Sequence, residues 1–192
     1  MDADSKKQKQ QKKKGKQEKS TGRWAVQVFF IAVVLSAALS LASDQALDGA
    51  GLAVAFAVLL AFILLGIVFD IIGVAVTAAD EKPFHSMAAR KTPGAREALN
   101  LIRKADKVSS FSNDVVGDIC GIISGSTGAV IVVQIQTAFG MPGMVISLAV
   151  TALTSGLTIG GKALGKSFAI AKSTAVLQLV GRLLHLFSRK KR

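Results

Sequence analysis

Long, nearly charge-free apolar runs alternate with polar blocks along this chain. The first run, Trp24 to Ser43, reads WAVQVFFIAVVLSAALSLAS, and the second extends from about residue 50 to 79. A third covers about 108–139, beginning polar and ending in VIVVQIQTAF, and a fourth covers about 145–161. Each approaches or exceeds the roughly 20 residues a helix needs to cross a hydrocarbon core. Between the second and third runs, Pro83 and the Pro93-Gly94 pair punctuate a charged block over 80–107. Within it Phe84, Met87, Ala88, Ala98, Leu99 and Ile102 recur at helical spacing, which predicts interfacial helices over about 82–104. A further interfacial helix is predicted over about 164–187, with Leu164, Phe168, Ala171, Ala175, Leu179, Leu183 and Leu186 on one face. The pattern predicts an all-α integral membrane protein of about four transmembrane helices plus juxtamembrane amphipathic helices.

Ser40, Ala42 and Ser43 could pass for a signal-peptidase site, but the run before them is longer than the usual h-region of about 7–15 residues. It reads as a retained span. Residues 1–23 are Lys/Gln-rich without apolar periodicity, which predicts a disordered basic tail. The membrane domain then covers 24–187 and a basic tail 188–192.

The charge pattern orients the spans. Of the 24 Lys and Arg, nine lie up to Arg23, seven in 80–107 and eight in 162–192. The loops at 44–49 and 140–144 hold none. The positive-inside rule puts both termini and the middle block in the cytosol, which requires an even number of spans in a cell or plasma membrane. The net charge of +12 alone would suggest nucleic acid. Its placement beside apolar segments points instead to anionic lipid headgroups. The single cysteine, Cys120, excludes an internal disulfide and is expected to be a small buried residue.

Three aspartates inside the apolar segments carry the remaining chemistry: Asp70, Asp114 and Asp118. An ionised carboxylate in hydrocarbon is costly, so such residues face a bundle interior or a wet cavity. At about 1.5 Å per residue, Asp70 sits about 12–15 Å above the cytosolic end of its helix, and Asp114 and Asp118 about 9–15 Å above the start of theirs. Thr154, Ser155 and Thr158 fall at similar depth on the fourth span. Three helices could thus present oxygens to one cytosol-facing site, with Ser112 and Asn113 nearby, and such oxygens suit Mg²⁺. The alternatives are ordinary: Ser, Thr and Gly also serve close helix packing. A carboxylate can also be neutral or paired with Lys107 or Lys162.

Elsewhere chemistry is thin. His85 and His185 lack metal-ligand spacing. GSTG (125–128) and GLTIGGK (156–162) lack the Walker spacing, and no nucleophile–base arrangement emerges, so no enzymatic activity is expected.

The segments FDIIGVAVTAAD (69–80), KADKVSSFSNDVVGD (104–118), GLTIGGK (156–162) and SFAIAKSTAVLQLVGRLLHLF (167–187) together resemble the transmembrane domain of the CNNM/CorB (CorC-type) magnesium transporter family. The resemblance covers about residues 55–187 and lies in element order more than in individual motif residues. Where the family has a Ser-Gly pair this chain has Asp70-Ile71, its Gly-Asn corresponds to Gly117-Asp118, and its third-helix Glu to Leu157. The chain is expected to lack the CBS-pair module and to carry an extra first span. The resemblance implies a homodimer that binds or transports a divalent cation, Mg²⁺ above others. Asp70 and Asp118 would be the principal ligands, with Asp114, Asn113, Ser112, Thr154, Ser155 and Thr158 in support. Two other functions stay open: a non-transporting scaffold or regulator with a degenerate ion site, and a proton-coupled transporter of another solute.

Overall fold

The structure is a computed structural model; it describes residues 3–140 and 142–189, with side chains from Trp24 to Ser188 apart from Met141. Met1, Asp2 and the last three residues of the expected C-terminal tail lie outside the described residues. The chain is an all-α membrane protein, and among the described residues no strand occurs. Helix α1 covers Ala3–Leu47, α2 Leu52–Ala78, α3 Glu81–Ala89, α4 Ala95–Ile102 and α5 Ala105–Ser110. A π-helical segment, Phe111–Val116, joins α5 to α6 (Gly117–Phe139), followed by α7 (Gly143–Ala171) and α8 (Ser173–Arg189). Four stretches are long and apolar enough to cross a membrane: Trp24–Leu47, Leu52–Ala78, Ala105–Phe139 and Gly143–Ala171. Large apolar side chains stand outward along them, among them Leu148 at 71% and Leu153 at 67% exposure. Apolar surface of this extent along helices of spanning length fits contact with lipid.

Three boundaries differ from the sequence reading. Helix α1 runs back to Ala3, through the segment expected to lack structure. Lys, Gln and Glu are good helix formers, and the apolar helix that follows removes their nucleation cost. Helix α7 continues ten residues past 161, because Lys162 and Lys166 lower hydropathy without breaking a helix. The chain bends at Lys172 (φ −124°), so the amphipathic helix starts at Ser173 instead of 164.

The described residues from 39 onward form one compact unit, in which α2 packs against α6 and α7. Two apolar cores lie along α2. One gathers Ala55, Leu59, Ile63 and Ile131; the other gathers Ala75, Val76, Phe84, Ala98, Leu99, Ala169 and Leu177. Phe84, Ala98 and Leu99 therefore face protein, where the spacing had suggested a membrane-facing side. Helix α8 keeps the expected free face, with Leu179, Leu183, Leu186 and Phe187 exposed.

Local chemistry explains the short helices. Asp80 caps α3 by accepting the Lys82 N–H at 3.1 Å. The helix closes with Thr92 N–H donating to Met87 O and Lys91 N–H to Ala88 O, with Lys91 left-handed at φ 55°. Gly94, at φ 85°, meets the backbone of Gly181 and Arg182, bringing α4 and α8 into direct main-chain contact.

Candidate functional site

The glycines of α2 set the register of the bundle. A methyl on Gly66 would lie 3.2 Å from Cys120 Cβ, and one on Gly73 would collide with the Asn113 amide. Asp70 lies one turn from each, on the same face of α2, and so comes level with Val116 and Gly117. On α7, Gly161 packs under Ile67 and Gly165 under Ile71, while the Lys162 ammonium reaches within 3.5 Å of where a Gly117 Cβ would stand. Asp70, Asn113, Gly117 and Lys162 therefore share one level, where α2, α6 and α7 meet between the two apolar cores.

Asp70 is only 4% exposed, and its Oδ2 is buried without a hydrogen-bond partner. The Asn113 Oδ1 is also buried and unpartnered, although its Nδ2 donates to Ser109 Oγ at 3.3 Å. An unpaired buried oxygen costs about 1–3 kcal/mol, more if charged. Two of them from different helices, at one level, make a lining short of positive partners. Asn113 sits in the π-helical segment, where the wider turn alters the register of α5 against α6; such turns concentrate at functional sites. Ser112, buried at 4% exposure, sits beside it.

The remaining expected ligands do not join this level. Asp114 and Asp118 are exposed, on the side of their helix turned away from α2. Asp114 Oδ2 accepts a hydrogen bond from Ser110 Oγ at 2.7 Å. Their i, i+4 spacing did place them on one face, but not the face that α2 covers. Thr154, Ser155 and Thr158 line a separate groove between α6 and α7 with Gly121, Ser124, Gly125 and Gly128. There Thr158 Oγ1 donates to its own helix at Thr154 O, 2.8 Å away. Among the described residues no three His, Cys, Asp or Glu side chains come together in an arrangement able to hold a metal ion. The single eight-residue site expected from the sequence is thus divided among three surfaces.

What the sequence reading missed was the glycine pattern around Asp70. Gly66 and Gly73 flank it at one-turn spacing on the face that packs, a signal present in the sequence but ambiguous until α6 supplies Cys120 and Asn113. Lys162 was weighed only as a counter-charge at the bundle edge.

Outside the spans, His185 Nδ1 and Glu97 Oε1 lie 2.8 Å apart, linking α8 to α4. Partial burial alone would raise the Glu97 pKa. The hydrogen bond with His185, the Glu97 backbone amide and the positive charges of His185 and Arg96 outweigh that, and the carboxyl is held below its ordinary range. Comparison with protein-family models, with curated proteins and with solved structures finds no match to this chain.

Proposed function

We propose that this protein binds or moves a divalent cation, Mg²⁺ above others, at the Asp70–Asn113 level inside the bundle. The observation that carries this reading is the pair of buried, unpartnered oxygens, Asp70 Oδ2 and Asn113 Oδ1, contributed by two helices. Mg²⁺ keeps much of its water and needs only one or two protein carboxylates, so a lone aspartate with an amide oxygen suits it. Element order adds support: a span, short helices, a second span, a third span and an amphipathic helix follow one another as in the CNNM/CorB resemblance. In this reading the basic blocks are cytosolic, and the site lies nearer the end of the bundle that carries α3, α4 and α8. The resemblance also implies a homodimer.

The test is thermal stability of the purified chain in detergent against Mg²⁺ concentration. An ion that binds only the folded state raises the melting temperature, by about 2.7 kcal/mol of stability at a hundredfold excess over Kd. Asp70→Asn abolishes the rise, whereas Asp118→Asn leaves it. A flat response in the unaltered chain through the millimolar range overturns the reading. Such a result favours a non-transporting scaffold, which the separation of buried Asp70 from the exposed Asp114 and Asp118 also fits.

A further inference from the structure

Lys162 is the third polar group at the Asp70 level, and its placement is unusual for a lysine on an apolar span. Lysines near helix ends ordinarily extend toward the interface, keeping the ammonium in water. This one, partly exposed, reaches toward α6, with Nζ 3.5 Å from the Cβ position of the buried Gly117. A Cβ at that position would stand in ordinary van der Waals contact with the ammonium. Gly161, the residue before it, seats α7 directly on Ile67 of α2, which holds the root of the lysine one turn from Asp70. Asp70 and Lys162 nevertheless form no direct ion pair; among the described residues the ion pairs are His85–Glu81 and His185–Glu97. The register thus brings the Asp70 carboxylate, with one oxygen unpartnered, and the Lys162 ammonium to the same turn of α6 without an ion pair between them.

The charges decide the consequence. With the ammonium present the level is formally neutral, and a divalent ion entering beside it would leave two net positive charges in a low-dielectric setting. With the ammonium withdrawn, the same ion leaves one. Like charges a few ångströms apart repel far more strongly here than in water.

Resting on the cation reading above, we propose that the Lys162 ammonium is a tethered competitor for the Asp70–Asn113 level, which a divalent ion must displace in order to bind. Lys162 then sets the ion affinity of the chain and limits occupancy to high cation concentrations. Its long, flexible stem, rooted on α7, permits the withdrawal that binding requires.

The experiment has two arms on the full chain in detergent. In the first, Mg²⁺ is titrated against melting temperature for the unaltered protein, Lys162→Gln and Lys162→Arg. Lys162→Gln lowers the half-saturating Mg²⁺ concentration at least tenfold, and Lys162→Arg leaves it within about threefold. In the second, without Mg²⁺, melting temperatures of Asp70→Asn, Lys162→Gln and the double variant form a cycle. The double variant is more stable than the two single losses added together, since each single change leaves the other charge alone. Should Lys162→Gln alone fail to fold, recovery of a folded chain by adding Asp70→Asn gives the same answer.

Equal Mg²⁺ midpoints for the unaltered chain and Lys162→Gln overturn the competitor role while leaving the cation reading intact. An additive cycle, or a double variant that does not recover, overturns the shared level itself. A flat Mg²⁺ response in every variant overturns the cation reading and the displacement together, whatever the cycle shows.

Discussion

The side chain of Asn113 occupies the space that Gly73 leaves open on α2. A residue from the π-helical segment is thereby keyed into the span opposite, one turn from the buried Asp70. Gly73→Ala forces the amide out of its position and costs about 1–3 kcal/mol, the usual range for overpacking a filled site. Asn113→Ala alone costs less, and in the double variant much of the Gly73→Ala loss disappears. Chemical or thermal unfolding of the three variants measures this coupling; independent, additive losses would show that the two residues do not share the space.

Gly94→Ala is expected to be worse than any other single methyl added to the chain. Its φ of 85° disfavours an L side chain, and the added carbon meets main-chain atoms of Gly181 and Arg182, which cannot rotate away. A loss of about 2 kcal/mol or more follows, concentrated on α8. Limited trypsin digestion reads it directly, as faster cleavage at Arg182 in the variant than in the unaltered chain.

The His185–Glu97 contact makes attachment of α8 sensitive to acid. Because the folded Glu97 carboxyl ionises more readily than a free one, its contribution is complete above the ordinary value of 4.5 and is lost as pH falls through the lowered one. Protease protection of α8 should fall in that acid range in the unaltered chain. In Glu97→Gln the fall is smaller. Identical pH profiles for the two would remove the contact from the account.

Orientation is open to a direct measurement. Single cysteines placed at Ser86 and Ser188, in a Cys120→Ala background, are expected to react with a membrane-impermeant maleimide only from the cytosolic side. One placed at Gly49, in the loop after α1, is expected to react only from the other. Labelling of Ser86→Cys from outside would reverse the assignment made from the Lys/Arg count.

Much of this architecture was legible in advance, for a simple physical reason. A bilayer demands unbroken apolar length, and Leu52–Ala78 or Ala105–Phe139 declare it in composition alone. The short helices were legible at their ends, where Pro83 and Pro93-Gly94 interrupt the pattern. Faces were harder. Asp114 and Asp118 share a stripe by their spacing, yet spacing on one helix cannot say which stripe a neighbour covers. That depended on where Gly66 and Gly73 meet Cys120 and Asn113, a pairing between residues about 40 to 54 positions apart. Depth was likewise a better guide than direction: Thr158 lies on the span expected, but its hydroxyl is spent on its own helix at Thr154.

The contact between Gly94 and Gly181 has a mechanical meaning as well. Side chains between packed helices act as a compliant layer, able to change rotamer and absorb a small displacement. Where two backbones meet without that layer there is no slack, and His185–Glu97 adds a second fastening on the same pair of helices. Helices α4 and α8 are thus joined backbone to backbone, and they pack on the end of α2 through Ala75, Val76 and Leu177. A displacement of α8 therefore has a direct contact route to α2, through a segment that begins just over one turn beyond Asp70.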